Sequence, residues 1–222
     1  MSSLRNTTPT ASAPVATAIT DDRVLRAAYD SIMEVGVRRT TLADVARRAG
    51  VSRMTVYRKY DDLPSLLSAL LTAELGSLLT ESMQAAKTLP TSAQRVAYIT
   101  SQTAAALAAH PVLARVLAVD PEAVLPLIVD RLGTTQRTGL ATISGLLADG
   151  QAPHGDGSIR DGDTDLMSLT MLASAQSFVF SARSIHTADP LGHAFSELER
   201  MLLGYVAADP TRSLAELDSR SS

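Results

Sequence analysis

Apolar positions recur with a helical period along nearly the whole chain, and the two-residue alternation of a half-buried strand is almost missing. Val24, Leu25, Ala28 and Ile32 form the first apolar stripe. Thr20, followed by Asp21 and Asp22, supplies a helix start, because acids in the first turn suit the positive end of the helix dipole. Gly36 supplies the end, as a residue able to take left-handed backbone. Leu42, Val45, Ala46 and Ala49 then fall at i, i+3, i+4 and i+7, with Thr41 as N-cap and Gly50 as stop. Ser52 is placed to cap a third helix over 53–60. Asp61 or Asp62 caps a fourth, with Pro64 in its first turn, where a missing N–H costs little. That helix presents a leucine face from Leu66 to Leu79, a core signature.

Farther on, Leu89-Pro90 breaks the chain. The spacing predicts helices over 92–109, around 112–119, and over 121–149, 164–186 and 190–207. The stretch 150–163 is packed with Gly, Asp and Pro and reads as a loop. The final helix carries a stripe from Leu191 through Phe195, Leu198 and Leu202 to Tyr205. No internal repeat is visible. The fold class is all-α: an N-terminal three-helix domain over 20–62, then a C-terminal bundle of about six helices over 63–208. Disordered tails are expected over 1–19 and 209–222.

Composition narrows the function. The 222 residues, 45% of them hydrophobic, suffice to bury a core in one or two domains. Cysteine is absent, which excludes disulfides, a thiolate nucleophile and thiolate-ligated metal. A reducing cytoplasm fits this. Each apolar run is interrupted before the ~20 residues a bilayer span needs, so no membrane partner is expected. The Ser/Thr/Ala/Pro-rich start lacks the apolar core and cleavage site of a secretory signal. The net charge of −3 conceals an asymmetry. Residues 1–60 hold 10 Lys and Arg against 5 Asp and Glu, whereas 61–222 hold 10 against 18. A basic head on an acidic body suits phosphate neutralisation.

The segment from Thr40 to Tyr60 gives that charge a structure. Gly50 makes a tight turn between two helices, Val51 plugs the angle, and Ser52 starts the second helix. On that helix Val56 and Tyr60 lie four apart and face the core. Arg53, Met54, Thr55, Tyr57, Arg58 and Lys59 are left towards solvent or DNA. This is the layout of a helix-turn-helix, whose second helix enters the major groove by its N-terminal end.

From Val24 to Leu71 the chain resembles the TetR family of bacterial regulators. The resemblance rests on the helix ending at Gly36, then Thr40-Thr41-Leu42-Ala43-Asp44-Val45-Ala46, then Ala49-Gly50-Val51-Ser52, then Thr55-Val56-Tyr57, and the leucine-rich fourth helix. It implies that Thr41, Ser52 and Tyr57 bond DNA phosphates and that Lys59 supplies phosphate charge. It places Arg53 and Thr55 at base edges, Met54 in apolar contact with a base such as thymine, and Arg58 within reach of a base or a phosphate. Two positions depart from the family pattern. Tyr60 stands where Phe is usual, and Leu63 where a phosphate-contacting Lys is usual. Arg38, Arg39, Arg47 or Arg48 would have to compensate. Arg47 and Arg48 read equally well as a solvated helix face, Tyr57 also as a packing residue, and Arg5 as tail charge rather than a minor-groove arm.

The resemblance further implies a homodimer through the last two helices, a palindromic double-stranded operator, and a small-molecule effector held in the body, with a repressor released by that effector as the leading function. Soft or polar-handled residues in apolar helices mark candidate effector contacts: Tyr98, Gln102, His110, Gln136, Met167, Met171, Gln176 and Phe178. Without a charge cluster among them, an apolar or weakly polar effector is expected. No cofactor is implied. An activator, or a DNA-binding protein without an effector, is an alternative the residues do not separate. Enzyme activity is not expected, because no His-Glu-x-x-His or phosphate-binding Gly loop appears among the four histidines and twelve glycines. Asp156, Asp161, Asp163 and Asp165 beside His154 fit no EF-hand spacing and read as a flexible acidic loop rather than a metal site.

Overall fold

The computed structural model describes residues 13–119, 133–189 and 193–220. Arg5, the expected helical stretch 121–132 and Leu191 lie outside them. All regular elements among the described residues are helical, apart from two isolated bridges at Ile159, to Gln151 and Ala207. The chain divides into two compact units, residues 1–67 and 68–222, so the boundary falls inside the fourth helix rather than at 62/63.

In the first unit, helix α1 spans Ala13–Val35 and therefore begins earlier than Thr20. Ala13, Ala16 and Ala18 are strong helix formers, and Pro14 sits in the first turn, so the acids at 21 and 22 are not the start. Gly36 takes φ 83°, and a single 3-10 turn, Val37–Arg39, leads to the next element. Helix α2 is Leu42–Ala49, with Leu42, Val45, Ala46 and Ala49 buried as their spacing predicts. Helix α3 is Arg53–Tyr57, shorter than the expected 53–60. Its end tightens because the N–H groups of Lys59 and Tyr60 both donate to the Val56 carbonyl, at 3.0 and 2.9 Å. That turn swings Tyr60 into the core, where it is 5% exposed beside fully buried Val56. Helix α4 starts at Leu63. Its cap is Asp62: Asp62 Oδ1 accepts from the Ser65 N–H at 2.8 Å, while the Asp62 N–H returns to Ser65 Oγ at 3.3 Å. Leu66 and Leu67, both at 0% exposure, are the last residues of the first unit.

In the second unit, α4 continues to Ala85 and a 3-10 turn, Ala86–Thr88, follows. Helices α5 (Ser92–Ala108), α6 (Pro111–Val119), α7 (Thr134–Ala148), α8 (Thr164–Ala188), α9 (Ala194–Val206) and α10 (Pro210–Arg220) complete it. Helix α5 is central and packs on α7, α8 and α9. Helix α10 corrects the expected polar tail over 209–222. Leu217 turns inward at 9% exposure, Glu216 Oε2 accepts from Gln94 Nε2 at 3.0 Å, and Arg200 pairs with Asp218. Those contacts come from α5 and α9, so no local pattern announces them.

By length and composition, Leu63–Thr88 passes as a membrane-crossing helix, contrary to the reading that no such stretch exists. Its apolar side is accounted for by burial of Leu66, Leu67, Leu70, Leu71, Leu75 and Leu79 within the protein.

Candidate nucleic-acid interface

The turn between α2 and α3 is built from backbone conformation and caps. Gly50 has φ 65°, in the left-handed region that favours glycine, and the Val51 N–H reaches the Ala46 carbonyl at 3.1 Å. Arg23 Nη2, from α1, donates to the Ala49 carbonyl at 2.6 Å and so closes the C-terminus of α2. Ser52 caps α3: its Oγ accepts from the Thr55 N–H at 3.1 Å and lies 2.8 Å from Thr55 Oγ1. Thr41 caps α2 in the same way, with Oγ1 accepting from the Asp44 N–H at 3.1 Å.

The face these caps present is the one read from the helical phase. Met54 is 74% and Tyr57 48% exposed, and Ser52, Arg53, Arg58 and Lys59 are exposed as well, with Thr55 half-buried. Thr41 lies exposed at the start of α2. A large exposed Met beside a Tyr and two arginines is an unusual solvent face; it offers apolar contact, hydroxyls and cationic donors on one side of a short helix.

Acids already hold several of the basic and hydroxyl groups. Thr41 Oγ1 donates to Asp44 Oδ2 at 2.7 Å, and Asp44 Oδ1 accepts from Arg47 Nη2 at 3.1 Å. The Thr41 hydroxyl first, and then Arg47, hold the Asp44 carboxyl below the ordinary carboxylate range. Arg48 pairs with Glu34 of α1, and Lys59 with Asp21. Lys59 Nζ also lies 5.6 Å from the centre of the Tyr60 ring. Partial burial works to lower the Lys59 pKa, but the Asp21 hydrogen bond and the nearby negative charges outweigh it and raise it. Sequence reasoning missed Asp21, Glu34 and Asp44. The Thr-x-x-Asp spacing of a capping box was legible for Asp44; Asp21 and Glu34 carry no local signal, because their partners lie a helix away.

In the second unit, a cavity of about 120 Å³ opens among α4, α5, α6, α7 and α8. Leucine, isoleucine, valine, alanine and phenylalanine make most of its wall, with Ser68, Thr100, Thr103, Thr135, Gln136 and Gln176 as the polar members. No charged side chain is among the described residues lining it. Of the residues singled out from sequence, Gln136 and Gln176 line this cavity. Tyr98 instead packs on the cluster of Leu75, Leu79 and Ile99. His110 Nε2 lies 3.2 Å from Glu74 Oε2. Met167 and Met171 are buried, Gln102 is half-buried, and Phe178 meets Phe195 with ring centres 6.0 Å apart. The helical period locates which side chains point inward; it does not say which of them border empty space.

Among the described residues, no group of three or more His, Asp or Glu is placed to hold a metal ion. The acidic loop caps helices. Asp156 Oδ2 accepts from the Ser92 N–H at 2.7 Å, at the start of α5, and Asp163 Oδ1 accepts from the N–H groups of Asp165 and Leu166 at 2.9 and 3.2 Å, at the start of α8. Gly150 allows this loop its close approach, since a Cβ there would stand 2.6 Å from Ser92 Cβ.

Comparison with known proteins agrees with this geometry. Residues 24–70 match the family described as bacterial regulatory proteins, tetR family. An uncharacterized HTH-type transcriptional regulator of Mycobacterium tuberculosis is 32% identical over 198 residues, covering 84% of this chain and 94% of that protein. Among solved structures, RolR in complex with its ligand resorcinol superposes with a TM-score of 0.66 at 17% identity, covering 91% of this chain and 95% of that one. The regulator FadR of Bacillus subtilis, in complex with stearoyl-CoA, gives a TM-score of 0.52 at 18% identity, covering 83% and 97%. At those identities the two structures establish a shared fold, and the full-length relative carries the assignment further: the chain belongs to the tetR family of bacterial HTH-type transcriptional regulators, a family of DNA-binding regulators rather than enzymes.

Proposed function

We propose that this regulator is a homodimeric repressor that binds a palindromic operator and leaves it when a small molecule enters the body of the protein. The observation that carries the DNA half of this reading is the outward face of α3, where Arg53, Met54, Tyr57 and Arg58 stand exposed on a helix fixed from behind by Val56 and Tyr60. In that reading Arg53 and Thr55 address base edges, Met54 makes apolar contact, and Arg58 reaches a base or a phosphate. Thr41, Ser52, Tyr57 and Lys59 grip the backbone. Leu63 still leaves one phosphate contact to be made by nearby arginines. Arg47 and Arg48 can serve only by exchanging Asp44 and Glu34 for phosphate.

The apolar cavity supports the effector half, as do the small molecules bound in RolR and in the Bacillus subtilis FadR. Dimerisation through α8 and α9 is supported by apolar residues left exposed on them, Leu166 at 62%, Leu169 at 45% and Met201 at 47%. A two-fold dimer sets two recognition helices about 34–36 Å apart, one turn of DNA. Effector binding then favours a dimer arrangement whose recognition helices no longer match successive major grooves.

The test is selection of bound DNA from a random pool with the full-length protein, followed by release assays on the recovered site. The expected result is an inverted repeat with half-sites about one helical turn apart. Recovery of a single asymmetric half-site, bound by one protomer, overturns the dimeric reading.

A further inference from the structure

Met54 is the most exposed methionine among the described residues, at 74%. Met201 and Met83 follow at 47% and 42%, Met33 is half-buried, and Met167 and Met171 lie in the core at 2% and 0%. A flexible thioether ordinarily fills gaps in a core. Here it stands in water on α3, two residues from Val56 at 1% exposure. The chain has no cysteine, so no thiol of its own takes an oxidant first.

That position makes oxidation consequential. When hydrogen peroxide attacks, the thioether sulfur loses two electrons and gains one peroxide oxygen; the O–O bond breaks and the other oxygen leaves as water. The flexible apolar side chain becomes a polar hydrogen-bond acceptor. In the reading of α3 as the helix that faces DNA, on which this rests, Met54 is in apolar contact with a base. A sulfoxide oxygen there gives up its hydration without a donor to replace it, and it adds negative potential beside the phosphates. Arg58, one turn farther on, can complete it only by giving up its own base or phosphate. Met83 and Met201 belong to the second unit, outside the helix-turn-helix.

We infer that Met54 is an oxidation site whose conversion to the sulfoxide releases the operator without any effector, and whose reduction by methionine sulfoxide reductase restores binding.

Peroxide treatment of the full-length protein, free and bound to its selected operator, tests this by peptide mass mapping and fluorescence anisotropy. Met54 is expected to oxidise first in the free protein and more slowly on the operator. The oxidised protein is expected to bind the operator about 10-fold more weakly, the order of a polar group desolvated without a partner, and to recover after reductase treatment. Each variant is compared with its own untreated sample. Met54→Leu is expected to be insensitive to peroxide, whereas Met83→Leu and Met201→Leu keep the sensitivity of the parent protein. Oxidised protein that binds as well as untreated protein, Met54→Leu that loses as much affinity as the parent, or no recovery with the reductase overturns the inference. Oxidation of Met54 at the same rate on and off the operator overturns both the inference and the placement of α3 against DNA. Slowed oxidation on the operator, with a sulfoxide that binds undiminished, leaves that placement standing and sinks the oxidative release.

Discussion

Lys59 stands between two partners. In the unbound protein its ammonium pairs with Asp21, and in the proposed complex it meets a phosphate. The exchange trades one anion for another, so its net contribution to affinity is smaller than that of an unpaired lysine. Lys59→Ala is expected to weaken binding to all DNA sequences alike and to lower the slope of log affinity against log salt by about 0.9, the effect of one phosphate contact. Asp21→Asn should strengthen binding by up to ~5-fold, the range of an exposed ion pair. Fluorescence anisotropy across a salt series reads both. Because the Lys59 pKa is raised, its charge persists through neutral pH, and the Asp21 pair is lost only as pH rises past the ordinary lysine range. Arg53 is exposed at the start of α3 and Val56 is buried beneath it, so the two test different contacts of that helix. Arg53→Ala should relax base preference by ~1–3 kcal/mol at one operator position while the fold is kept. Val56→Ala should instead destabilise the head by about 2 kcal/mol, through loss of buried methyls. A specificity change in the second variant and none in the first would reverse the assigned orientation of the helix.

At the scale of elements, several helix starts here are made by a side chain at or beside the cap. Thr41, Ser52, Thr91 and Asp163 cap from their own positions, and Asp62 exchanges bonds with Ser65. Helix α5 has a further cap brought from a distance, Asp156. Burial pushes its carboxyl up, but hydrogen bonds from Ser158 and from the Ser92 N–H prevail and hold it below the ordinary range. A depressed carboxyl contributes stability that is present above its unfolded pKa and lost as pH falls through the folded value. Asp156→Asn is therefore expected to lower stability by about 1 kcal/mol at neutral pH. The difference from the parent protein should shrink as pH drops below the ordinary aspartate range. Thermal melts across pH check this; a constant difference down to the most acid point would mean that Asp156 acts through packing and not through its charge.

For the whole molecule, the question is how two recognition helices come to be paired. In the proposed dimer, the exposed apolar residues of α8 and α9 are the surface that meets the second copy. Leu166→Glu with Leu169→Glu is expected to yield a monomer by light scattering at micromolar concentration and to abolish binding to the full inverted repeat. Binding to a single half-site should persist weakly, since the head is a compact unit in its own right. A double variant that stays dimeric would place the interface elsewhere.

What the sequence determined by itself was local. Helical period, caps and glycine stops are interactions within a few residues, and they located α2, α3, the inward pair Val56 and Tyr60, and the outward face of α3. The motif from Thr40 to Tyr60 carried the family in the same way. The tertiary structure decided whatever depends on residues far apart in the chain. Asp21 meets Lys59 and Glu34 meets Arg48 from another helix; Asp156 reaches back to α5; Leu217 and Glu216 make a helix of an apparently polar tail. The cavity belongs to the same class. Of eight residues chosen for softness or polarity, Gln136 and Gln176 border it. Periodicity fixes the direction in which a side chain points, but empty space and missing partners are properties of several helices packed together.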